Sequence, residues 1–74
     1  MSKLPVVSGR EAVKAFQKTG WYVARQGKGS HIIMKKEGMI TTLSIPDHKV
    51  LDRGLLRSLI RDALISVEEF TRLL

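Results

Sequence analysis

The chain has 74 residues, 43% hydrophobic and 27% charged, which predicts one small folded domain over residues 1–74 and excludes a disordered tail. It contains no cysteine, so a disulfide framework and a thiolate metal site are both excluded, in keeping with a reducing compartment. Thirteen Lys and Arg against seven Asp and Glu give a net charge of +6; residues 66–74, with Glu68, Glu69 and Arg72, carry −1, so residues 1–65 form a +7 body that favours a polyanion, most simply nucleic acid.

The first residues, Met1-Ser2-Lys3-Leu4-Pro5, lack the apolar run of a signal peptide, and no stretch is long enough to span a bilayer. A cytoplasmic protein without a membrane partner is therefore expected. A short extended lead, Leu4-Pro5-Val6-Val7, runs into Ser8-Gly9-Arg10-Glu11. Ser8 with Glu11 three residues on reads as a capping box, each side chain satisfying an orphan amide of a first helical turn. The helix is expected to run to about Thr19, with Ala12, Val13 and Phe16 on one face, and to stop at Gly20.

Three extended segments follow, Trp21–Gln26, Ser30–Lys36 and Met39–Ile45, separated by turns at Gly27–Gly29 and around Glu37-Gly38. Their β-branched and aromatic residues favour strands, and connections this short make antiparallel neighbours in a meander. Pro46, which cannot donate to a ladder, ends the third. After the loop Pro46–Leu51, Asp52 is placed to cap a second helix. Leu55, Leu56, Leu59, Ile60, Ala63 and Leu64 share one side of it, and Arg53, Arg57 and Arg61 line the other. Ser66 with Glu69 forms a second capping box, with Ile65 and Phe70 at staple spacing, so a short last helix, Val67–Leu74, should turn away presenting Val67, Phe70 and Leu74.

The expected class is α+β, in the order α-β-β-β-α with a short C-terminal helix. A three-stranded antiparallel sheet with its helices on one face is the layout of a double-stranded-RNA-binding domain. That layout argues weakly for RNA and says nothing about cutting it.

Candidate chemistry centres on Gly27-Lys28-Gly29-Ser30-His31, a glycine turn that delivers one of only two histidines into a strand. Alternation puts Ile32 and Met34 on one strand face and His31, Ile33 and Lys35 on the other; if the apolar pair meets the helices, His31 lies on the open side. Position alone leaves His31 balanced between a strand opener and a catalytic group. Two histidines and scattered carboxylates make no metal cluster, which disfavours a metal-dependent nuclease. Ser30 and His31 are strand neighbours pointing to opposite faces, which disfavours a serine–histidine hydrolase pair.

RNA requires neither a metal nor a protein nucleophile, because its own 2′-OH attacks the adjacent phosphate. An imidazole, with an ordinary pKa of about 6.5, suits removal of that proton or protonation of the leaving 5′-oxygen. Arg25, Lys28, Lys35 and Lys36 are the nearest cations in sequence for the transition-state charge. His48, in Pro46-Asp47-His48-Lys49, is the other candidate proton-transfer group; the plainer reading is a solvated loop histidine paired with Asp47. The Arg53/Arg57/Arg61 row is the wet side of an amphipathic helix, a phosphate-holding ridge, or a dock for an acidic protein. Trp21 and Phe16 are read as core.

Five stretches, in order, resemble the HicA family of toxins: Ser8-Gly9-Arg10-Glu11, Gly20-Trp21, Arg25-Gln26-Gly27-Lys28-Gly29-Ser30-His31, Gly54-Leu55-Leu56-Arg57-Ser58-Leu59-Ile60 and Ile65-Ser66-Val67-Glu68-Glu69-Phe70. The resemblance covers nearly the whole chain. It implies a double-stranded-RNA-binding-domain-like fold and a type II toxin that acts as an mRNA interferase; the residue chemistry above leads to the expectation of no metal or other cofactor. It further implies dependence on the histidine after Gly-Ser, here His31. The residues themselves nominate Arg25, Lys28, Lys35, Lys36 and Arg57 as the cations that hold RNA. A HicB-type antitoxin is implied as the partner that blocks the site. The alternative is a non-catalytic RNA-binding module of the same fold, with salt-sensitive affinity and no strand scission.

Overall fold

A computed structural model describes residues 3–26 and 29–74; Gly27 and Lys28, which the sequence assigns to the first hairpin turn, lie outside the described residues. The elements are α1 (Gly9–Gln17), β1 (Tyr22–Gln26), β2 (His31–Lys35), β3 (Leu43–Pro46), α2 (Arg53–Asp62) and α3 (Val67–Leu73). The three strands pair antiparallel in the order β1-β2-β3, and the helices cover one face of the sheet. The fold is α+β with the layout expected from the sequence.

Local chemistry sets each helix boundary. At α1, the Glu11 N–H donates to Ser8 Oγ (3.0 Å) and the Ser8 N–H donates to Glu11 Oε1 (2.9 Å). The same reciprocal pair joins Ser66 and Glu69 at α3, and the Leu55 N–H donates to Asp52 Oδ2 at α2. These contacts satisfy donors that the first helical turn leaves without partners. Helix α1 ends where Gly20 adopts φ +96°, with the Trp21 N–H reaching back to the Phe16 carbonyl.

The core forms between the sheet and the helices. Ile32 and Met34 of β2 and Leu43 and Ile45 of β3 meet Ala12, Val13 and Phe16 of α1 and Leu56, Leu59 and Ile60 of α2. Trp21 is buried just before β1, as the sequence implies, although its Nε1 has no hydrogen-bond partner among the described residues. No helix of the described residues is long and apolar enough to cross a membrane.

Three expectations are corrected. The third strand begins at Leu43 rather than Met39. Gly38 (φ +82°) and the bond from the Met39 N–H to the Lys36 carbonyl form a tight turn, and the ladder with β2 starts only at the pair Met34–Leu43. Ile40 is fully exposed, so its β-branched propensity had no ladder to act in. Leu64 leaves the apolar face of α2: it sits just past the helix end at φ +61°, three-quarters exposed. Finally, α3 folds back rather than presenting its apolar residues. Phe70 is wholly buried with its ring 5.1 Å from that of Phe16, Leu73 packs on the core, and Leu74 is half exposed.

The pairing of β1 with β2 contains a bulge at Ala24. Tyr22 faces Lys35 and Val23 faces Met34, but Arg25 then pairs with Ile33 and Gln26 with Ile32. Simple alternation from Tyr22 would put Ala24 and Gln26 on Tyr22's face. The extra residue shifts the parity, so Tyr22 and Arg25 share the open face and Gln26 turns to the helix side. Two cavities agree with this assignment. Gln26 and Val23 line a groove of about 360 Å³ with Arg10, Val13 and Lys14 of α1, whereas Arg25 lines a depression on the opposite face.

Candidate active site on the open sheet face

The candidate site starts from the backbone around His31. Gly29 turns the chain at φ +73°, a conformation that disfavours a side chain, and β2 begins two residues later. His31 pairs with Pro46 at the end of β3, and the Asp47 N–H donates to the Ser30 carbonyl. His31 and Lys35 are exposed with Ile33 half-buried between them, while Ile32 and Met34 are buried. The imidazole therefore stands on the uncovered face, where no side chain among the described residues engages it.

The segment after β3 is fastened from the helix side. The Gly9 N–H donates to the His48 carbonyl (2.9 Å), and a Cβ at Gly9 would lie 2.0 Å from the Pro46 carbonyl oxygen. Only glycine admits so close an approach. Arg10 then clasps Asp47, with Nε 3.1 Å from Oδ1 and Nη2 3.0 Å from Oδ2. This two-pronged pair corrects the expectation that Asp47 serves His48 locally, since its carboxylate is turned to α1 instead. The hydrogen bond and charge of Asp47 raise the Arg10 pKa above its ordinary value. A raised pKa removes stability only as pH climbs through it, so the guanidinium stays charged well beyond physiological pH.

Two of the sequence-nominated cations, Arg25 and Lys35, lie on the face that carries His31. With Ala24, Ile33 and Thr42 they line an open depression of about 410 Å³. Lys36 is directed elsewhere. Its stem lies across Gly20 at the end of α1, where an added Cβ would meet Lys36 Cε at 3.2 Å. Arg57 is exposed on α2, in the layer covering the opposite face of the sheet. Lys28 lies outside the described residues.

His48 is exposed two residues beyond Pro46, which pairs with His31, so the fold brings the two histidine-bearing segments side by side. Among the described residues no group of three or more His, Cys, Asp and Glu side chains could hold a metal ion. Sequence reasoning missed the Arg10–Asp47 clasp, whose partners are 37 residues apart, and the placement of Arg25 by the bulge. Nothing in the local pattern signals the first. Nor does it signal the second, since the bulge opposes five residues of β1 to four of β2 only once the strands pair.

Known proteins carry related features. Residues 9–65 match the family model described as HicA toxin of bacterial toxin-antitoxin. A chain solved in a toxin–antitoxin complex from Streptococcus pneumoniae is similar at 34% identity and a TM-score of 0.71, covering 80% of this chain and 98% of that one. No curated protein matches the chain.

Proposed function

This chain belongs to the HicA family of bacterial toxins, and on that premise we propose that it is a metal-independent endoribonuclease that cleaves mRNA with His31 as general acid or base. The observation that carries the reading is the placement of His31: an exposed imidazole on the uncovered sheet face, with Arg25 and Lys35 on the same face. In the proposed step the 2′-oxygen of RNA attacks the adjacent phosphorus and the bond to the 5′-oxygen breaks. His31 takes the 2′-OH proton or gives a proton to the departing 5′-oxygen, a contribution of about 10²–10⁴-fold. Arg25 and Lys35 meet the added negative charge on the phosphoryl oxygens. His48 is the nominee for the complementary transfer, with its backbone held by Gly9.

A HicB-type antitoxin is the proposed partner that restrains the activity. Its support is the similarity to a chain solved in a toxin–antitoxin complex. The proposed mRNA substrate makes the cytoplasm the proposed location.

The experiment is cleavage of an unstructured RNA beside the same RNA with single 2′-deoxy substitutions. The mechanism predicts products ending in 2′,3′-cyclic phosphate and 5′-hydroxyl, and no scission 3′ of a deoxy position. Cleavage at deoxy positions, or intact RNA after prolonged incubation with folded protein, contradicts it. Intact but tightly held RNA would favour a binding module.

A further inference from the structure

The four aromatic side chains of this protein are unequally placed. Trp21, Phe16 and Phe70 are in the core, while Tyr22 is 51% exposed. Its exposure follows from register. Tyr22 pairs with Lys35, which lies on the face of β2 that also carries Ile33 and His31. A large amphipathic ring left on a solvent face of a small domain contributes little to the core. It is nevertheless a ready platform for a planar ligand.

Between Tyr22 and His31 the same face carries the depression lined by Ala24, Arg25, Ile33, Lys35 and Thr42. Ile33 and Ala24 supply apolar contact surface, Arg25 and Lys35 supply cations, and no acidic side chain lines it. Its volume of about 410 Å³ falls within the range of small-ligand pockets. The bulge at Ala24 makes this combination. Without the parity shift, Gln26 rather than Arg25 would follow Tyr22 and Ala24 on this face. His31 and Lys35 are four residues apart on one strand, so the row runs about 13 Å from imidazole to aromatic end.

We propose that this row is a subsite for single-stranded RNA. The scissile phosphate lies between His31 and the cations Arg25 and Lys35, the nucleotide beside it sits over Ile33, and the base of a further nucleotide stacks on Tyr22. The inference rests on the RNA reading above and extends it by assigning the path of the strand and a base-stacking residue. Stacking tolerates any base, because every base offers a π-face, so the subsite positions the strand without selecting a sequence.

The test measures binding of a short mixed-sequence 2′-O-methyl RNA, which offers no 2′-OH for attack, by fluorescence anisotropy. The unaltered protein and Tyr22→Phe should bind within about two-fold of each other, and Tyr22→Thr about ten-fold or more weakly. Threonine retains strand propensity, and circular dichroism checks the fold. In parallel, an abasic sugar is moved along the RNA. One position should weaken binding to the unaltered protein and have little further effect on Tyr22→Thr, the mark of an interacting pair.

Equal binding by Tyr22→Thr, equally weak binding by Tyr22→Phe, or no sensitive abasic position overturns the stacking subsite and leaves the RNA reading standing. No binding by the unaltered protein overturns both. The abasic scan uses the unaltered chain, so the absence of a sensitive position overturns the stacking subsite even where Tyr22→Thr is unstable.

Discussion

Leu64 holds a backbone conformation that ordinarily belongs to glycine. At φ +61° it closes α2, with the Leu64 N–H donating to the Arg61 carbonyl and the Ile65 N–H to the Ile60 carbonyl. This is the double bond of a Schellman end, and Gly20 performs the equivalent duty after α1. For a side-chain-bearing residue the left-handed region costs roughly 1–2 kcal/mol. Leu64 is three-quarters exposed, so its burial offsets little of that cost. Leu64→Gly is therefore expected to stabilise the fold by about 0.5–1 kcal/mol after the added flexibility of the unfolded chain is counted, a rise of several degrees in melting temperature. Thermal denaturation followed by circular dichroism measures it, and a lower melting temperature would contradict the assignment. The sequence placed Leu64 on the apolar side of α2 because helical spacing alone does not reveal where a helix stops.

At the scale of elements, α3 is a structural brace. Phe70 and Phe16 meet at 5.1 Å with planes inclined at 47°, and Lys18 Nζ donates to the Leu73 carbonyl (2.8 Å), so both ends of the contact tie α3 to α1. Phe70→Ala is expected to cost about 3–5 kcal/mol, a large part of the roughly 5–15 kcal/mol available to a folded domain. Urea denaturation should show a markedly lower midpoint or a loss of cooperativity, and a midpoint unchanged from the parent would mean that α3 packs elsewhere. The capping boxes Ser8/Glu11 and Ser66/Glu69 and the face of β2 were legible in the sequence because they depend on neighbours within four residues. The docking of α3, the Arg10–Asp47 clasp and the opposition of five residues by four at Ala24 depend on partners far along the chain. No local pattern carried them. The expected strand at Met39–Thr42 failed for the opposite reason, since local propensity was present and the partner strand had ended at Lys35.

At the scale of the molecule, the charge and the two-layer architecture act together. The helices bury one face of the sheet and leave the other to carry His31, Arg25 and Lys35 on a body of net positive charge. RNA affinity should therefore fall with salt. Arg25→Ala and Lys35→Ala should each reduce the slope of log affinity against log salt by about 0.7, the value for one phosphate contact on a single strand. Tyr22→Thr, which removes stacking rather than charge, should weaken binding with the slope unchanged. Slopes insensitive to Arg25 and Lys35 would place the phosphate contacts elsewhere. The proposed chemistry depends on the His31 imidazole on that face. Its most direct test is incubation of the protein and His31→Ala with an unstructured RNA in EDTA. Cleavage by the parent and its loss in the variant, with an unchanged circular dichroism spectrum, is the expected result; equal cleavage by both proteins would contradict a catalytic His31.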